Sequence, residues 1–239
     1  MALGPAVILT ATSAGVAACK QATQTIPIVF GNASNPVEQS FISSLRRPGG
    51  NITGILVHAM DAKMVEIARE ALPQARRLAI LVYEADPIQK SVREAFVSAA
   101  LQLKFEPIVV NVRRVEELAL AFNEVVGKKP DALYLPPISF MFSNRRYLVE
   151  RALEARLPLL SGREETTAAG GLLSYSTDRL ENYRRAAALV DKILRGAKPG
   201  ELPVEQPERF QLVVNMKTAK AIGVTLSPTT MLRADKVIE

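Results

Sequence analysis

Short runs of Val, Ile and Leu alternate along this chain with longer stretches in which apolar residues return every three or four positions. The runs are "AVILT", "IPIVF", "ITGILV", "RLAILVY", "FEPIVVNV", "DALYLP", "LPLLS", "GLLSY" and "FQLVV". They are apolar without alternation, so each predicts a strand covered on both faces, as in a parallel sheet. In the stretches between, Met64, Ile67, Ala68, Ala71 and Leu72 share one helix face, and so do Tyr183, Ala186, Ala187, Val190 and Leu194. Strand–helix alternation of this kind predicts an α/β fold with doubly wound parallel sheets.

The strands are too many for one sheet in a chain of 239 residues. "RRPGGNITG" (Arg46 to Gly54) is a Pro/Gly-rich connector after which the rhythm starts again. Two α/β lobes are therefore expected, with the first crossing near Gly54 to His58. Residues 226–239 read as a C-terminal helix of unassigned lobe.

Two turns match each other. "IPIVFGNASNPVEQS" leads from a strand into Asn35-Pro36-Val37-Glu38, and "LAILVYEADPIQKS" leads from a strand into Asp86-Pro87-Ile88-Gln89. Each offers an Asn or Asp cap, Pro at the first helical position and Glu or Gln three after the cap. Both predict a helix N-terminus at the carboxyl edge of a parallel sheet, where open α/β sheets bind ligands and where helix N–H groups favour anions.

Composition narrows the chemistry. The formal charge is +6, but the basic doublets, from Arg46-Arg47 to Arg184-Arg185, are spread along the whole chain. With no Trp and few aromatics, no nucleic-acid recognition motif is visible. No apolar run approaches the roughly 20 residues of a membrane helix. His58 is the only histidine and Cys19 the only cysteine, so neither a metal site nor a Ser-His-Asp arrangement is expected. P-loop, G-x-G-x-x-G, G-x-S-x-G and H-E-x-x-H sequences are absent, no cofactor is implied, and Glu164-Glu165, a candidate carboxylate pair, reads as a loop in which adjacent side chains point apart. The pattern predicts binding rather than an enzyme. At the start, "VAAC" has the form of a lipoprotein cleavage site at Cys19, yet no Lys or Arg precedes the apolar run. The same residues read as a strand, a polar turn and a helix.

The C-terminal stretch from "AAGGLLSYSTDRLENYRRAAALVDKILRG" through "LPVEQPERFQLVVNMKTAKAIG" closely resembles the substrate-binding proteins of a bacterial ABC-transporter family, and "ATQTIPIVF" and "SLRRPGGNITG" match it too. The resemblance covers Ala6 to Glu239. It implies a type I periplasmic binding protein-like fold of two Rossmann-like lobes joined by a hinge, with residues 1–55 plus roughly 177–225 in the N-terminal lobe and 56–176 in the C-terminal lobe. It also implies capture of a small solute between the lobes by hinge closure, an ABC permease partner and a periplasmic location, with an amino acid or a small carboxylate as solute. It also implies that the signal and first strand-helix-strand-helix unit of the family are missing before "AVILT". The N-terminal lobe is then incomplete, with an apolar edge near Val7 to Leu9 open to self-association. Cys19 falls on an interior helix position. The expected ligand contacts are Thr12, Ser13, Asn32 and Asn35 from the N-terminal lobe, and Tyr83, Glu84, Phe140, Glu164 and Tyr175 from the C-terminal lobe. A truncated copy with weak or no binding, and a cytoplasmic ligand-sensing core, are alternatives on the same fold.

Overall fold

The computed structural model describes residues 4–33, 36–37, 39–57, 60–86, 89–207 and 209–239. The first elements are β1 (Ile8–Thr10), α1 (Ser13–Ala22), β2 (Ile28–Ala33), β3 (Ile52–Leu56) and α2 (Asp61–Ala71). Next come β4 (Arg77–Tyr83), α3 (Gln89–Gln102), β5 (Glu106–Val112), α4 (Leu118–Gly127) and β6 (Ala132–Leu135). They are followed by α5 (Ser139–Ser143), α6 (Arg145–Glu154), β7 (Leu159–Ser161), α7 (Glu164–Ala168) and β8 (Leu173–Thr177). The chain ends with α8 (Arg179–Leu194), β9 (Phe210–Asn215), α9 (Met216–Ile222), α10 (Pro228–Arg233) and β10 (Lys236–Ile238). Each of the apolar runs named above contains a strand.

The chain divides into two compact units, residues 1–59 with 177–210, and residues 60–176 with 211–239. In the first unit, β1, β2 and β3 form a parallel sheet in that order. Successive side chains of a strand face opposite ways, so an uninterrupted apolar run must feed two cores. Ile28 and Phe30 pack with Val16 of α1 and with Ile42, Ile52 and Val204, whereas Val29 and Ile55 pack with Ala186, Leu189 and Ile193 of α8. Gly31 permits the close approach of α8: a Cβ there would lie 2.8 Å from Cε1 of Tyr183. Among the described residues β1 has β2 as its one strand neighbour, and Leu9 is 50 % exposed on that edge.

The second unit holds a seven-stranded sheet in the order β10-β9-β8-β7-β6-β4-β5. The chain runs from β4 outward to β5, then returns across β4 to β6 and continues the other way. That reversal makes the crevice between the carboxyl ends of β4 and β6 a topological switch point. One sheet face, with Leu78, Ile80, Val82 and Tyr134, is covered by α2 and α3. The other, with Ala79, Leu81, Leu133 and Leu135, is covered by α4 and α6.

Several expectations need correction. Residues 211–225 lie in the second unit, because β9 joins the seven-stranded sheet. Residues 226–239 form α10 and a further strand, β10, whose Val237 and Ile238 pair with Val214 and Asn215. The buried stripe of α8 is Asn182, Ala186, Leu189 and Ile193, whereas Ala187 and Leu194 are exposed. On α2 the expected face, Met64 to Leu72, is buried. No helix forms among the described residues between β2 and β3. There the Phe41 and Ser40 amides donate to Pro36 O and Val37 O, and the segment turns Ile42 inward instead of winding on. The first of the two matched turns therefore opens no helix, while the second leads into α3, with the Gln89 amide donating to Asp86 O. Asn35, Glu38, His58, Pro87 and Ile88 lie outside the described residues.

Candidate functional site

At the switch point of the second unit, Tyr83 ends β4 and Phe140 lies in α5, reached from β6 through Pro136-Pro137. The two rings stack face to face with centroids 4.0 Å apart and planes 7° from parallel. Both are half-buried, which leaves an aromatic platform at the sheet's carboxyl edge. Glu84, an expected ligand contact, pairs within the protein: its carboxylate accepts from Arg113 Nε at 2.5 Å.

One strand further along, β7 ends at Ser161 and leads into Arg163, a residue passed over in the sequence because the Glu pair beside it drew attention. Arg163 is only 8 % exposed. Its Nε and Nη2 both donate to Pro137 O, at 3.2 and 3.0 Å, and its guanidinium lies 4.8 Å from the ring centroid of Phe142. Arg145 sits 4.1 Å from the same centroid and donates through Nη1 to Phe142 O. Glu164, another expected contact, is drawn to Lys236 at 2.5 Å.

On the sheet face shared by α2 and α3, Asp61 opens α2 and is 3 % exposed. Burial pushes its carboxyl up to about 6, against the lowering influence of the Tyr134 hydroxyl, which donates to Oδ1 at 2.7 Å. The Tyr134 hydroxyl is itself driven well above the usual tyrosine range by burial and by the adjacent carboxyl. Phe96 of α3 stacks on Tyr134 at 6.1 Å, and two turns earlier on the same buried face Gln89 opens α3. Gln89 is 1 % exposed, with both amide atoms unpartnered among the described residues. Tyr175, expected near the ligand or hinge, packs half-buried against this core.

In the first unit the helix N-terminus at the carboxyl edge is that of α1. Thr12 is its cap, with Oγ1 accepting from the Gly15 amide at 3.2 Å, and Ser13 is the first helical residue, half-buried. Gly15 is required there because a Cβ would run into the Thr10 side chain. Asn32, near the end of β2, accepts through Oδ1 from Nδ2 of Asn182 at 2.9 Å, and the same nitrogen donates to Thr177 Oγ1 at 3.0 Å. The Asn32 Nδ2 is sealed and has no partner among the described residues. Asn182 was missed because the face expected for α8 begins one residue later, at Tyr183.

Thus the structure joins Tyr83 to Phe140 and ties Asn32 to Asn182, while it commits Glu84, Glu164 and Thr12 to local partners. Among the described residues no group of His, Cys, Asp or Glu side chains is placed to hold a metal ion, and no helix is long and apolar enough to cross a membrane.

Comparison with known proteins agrees with this architecture. The family model for ABC transporter substrate-binding proteins matches residues 2–238. A tyrosine-binding protein of Clostridioides difficile is 25 % identical over 207 residues, which are 87 % of this chain and 60 % of that protein. The chain therefore spans about 60 % of the length of that curated relative. A conserved domain protein from Vibrio cholerae superposes with a TM-score of 0.92 at 24 % identity, over 98 % of this chain and 79 % of its own. An ABC domain from Streptococcus pneumoniae, solved in complex with L-Trp, gives 0.92 at 22 % identity, over 99 % and 80 %. At these identities the two structures establish the type I periplasmic binding protein-like fold.

Proposed function

Because the chain belongs to the ABC transporter substrate-binding protein family, we propose that it binds a small solute at the carboxyl edges of its parallel sheets and delivers it to a membrane permease outside the cytoplasm. The observation that carries this reading is the Tyr83–Phe140 stack at the switch point, the place where open α/β sheets take ligands. An amino acid or a small carboxylate is the expected class, in keeping with the tyrosine-binding relative. Closure on the solute belongs to the proposal, about the places where the chain passes between units, at residues 59/60, 176/177 and 210/211.

Calorimetric titration with the common amino acids and small carboxylates tests it. A solute at about 100 times its Kd should stabilise the protein by about 2.7 kcal/mol in a thermal melt. Tyr83→Ala should weaken that solute by about tenfold, as loss of an aromatic face does. A panel that gives neither heat nor a shift in Tm would sink the reading.

The apolar β1 edge supports the further proposal of self-association. Leu9→Lys should abolish concentration-dependent assembly in sedimentation while changing stability by less than about 0.5 kcal/mol. Assembly that persists in the variant would place the contact elsewhere.

A further inference from the structure

Arg163 is a buried cation with no counter-charge among the described residues. A guanidinium withdrawn from water is costly unless a carboxylate or another anion faces it, yet no carboxylate of the described residues lies within ion-pair distance of Arg163. Its protein contacts are the neutral Pro137 carbonyl and the face of Phe142. The nearest acidic residue in sequence, Glu164, is held by Lys236. Arg145, on the same ring, likewise has no acidic partner among the described residues and bonds only a carbonyl. Two cations therefore converge on one aromatic ring beside the switch point, with no acid among the described residues between them.

The geometry fixes what is still available. Nε and Nη2 of Arg163 are committed to Pro137 O, which orients the guanidinium plane and leaves Nη1 without a partner among the described residues. A planar cation held this way, with one donor edge free, suits an oxyanion.

We propose that Arg163, assisted by Arg145, is the anion-recognising group of the second unit and that the solute it selects carries a carboxylate. This inference rests on the solute-binding reading and narrows it, since an amine or a neutral sugar would leave the two cations unanswered. Phe142 holds both guanidiniums in place, and the Tyr83–Phe140 platform lies on the same α5 segment to receive the remainder of the solute.

Matched pairs that differ only in charge test it. The full chain is titrated calorimetrically with the common L-amino acids and their amides, and with benzoate and benzamide. For any solute that binds, the carboxylate should be at least about tenfold tighter than its amide, as expected of a charge-assisted contact. Arg163→Met should erase that ratio by weakening the carboxylate more than its amide, and Arg163→Lys should restore part of it. A protein that binds solutes with carboxylate and amide equal, or an Arg163→Met protein that keeps the preference, overturns the anion assignment and leaves the solute reading standing. A protein that binds no member of the panel overturns both. Should Arg163→Met fail to fold, the wild-type ratio and the Arg163→Lys variant still decide.

Discussion

Between pH 4 and pH 7.5, Asp61→Asn is expected to gain about 3 kcal/mol on the wild type in urea unfolding. The cause is desolvation. Asp61 is buried beneath the start of α2 and its carboxyl is pushed from 3.8 to about 6, so the folded state resists its ionisation. A group whose folded pKa is raised contributes stability that is fully present below the unfolded value and is lost as pH rises through the folded one. The wild type should therefore lose this contribution between about pH 4 and pH 6 and change little above. Asparagine keeps an oxygen for the Tyr134 hydroxyl but never ionises, so the difference between the two proteins isolates the carboxyl. A difference that stays flat across this range would show that Asp61 reaches water.

Gly54→Ala is expected to unfold the first unit outright, a loss of more than about 4 kcal/mol. Gly54 lies opposite Phe30 in the β2–β3 pairing. A Cβ at this position would stand 2.6 Å from the Phe30 nitrogen, with the Phe30 carbonyl oxygen nearer still. Those are backbone atoms of a buried strand and cannot rotate aside, unlike the tip of a side chain. Hydrogen exchange should report the failure locally: the amides of β2 and β3 lose protection while those of β4 to β8 retain theirs. Full protection in β2 would show that the strands can part without cost.

These effects also mark how far the sequence could be read. The inner strands were legible because both of their faces are covered, which leaves unbroken apolar runs such as "AILV" in β4, whereas β10, exposed at Lys236 and Val237, was read as part of a helix. α2 was legible for the same reason in its own period. Residues 36–50 misled because Asn-Pro-Val-Glu satisfies the local cap rules, whereas the choice between helix and turn was made by burying Ile42 and by the close packing around Gly49 and Gly50. The site was harder still. Tyr83 and Phe140 could be placed at strand ends but not stacked, because their meeting depends on which strands are neighbours. Arg163 and Asp61 were missed because a charged residue looks the same in sequence whether water or a protein core surrounds it. Their burial is set by contacts among segments far apart in the chain.

The connectivity of the first unit has a consequence for synthesis. Val29 and Ile55 are covered on one face by Ala186, Leu189 and Ile193, and residues 60–176 are made in between. At a usual ribosomal pace the apolar backs of β2 and β3 wait on the order of ten seconds for α8 to emerge. The first unit is therefore sealed only after residues 60–176 of the second have been made. A nascent chain held open in this way remains threadable, and open to capture by holding factors, until α8 has been made.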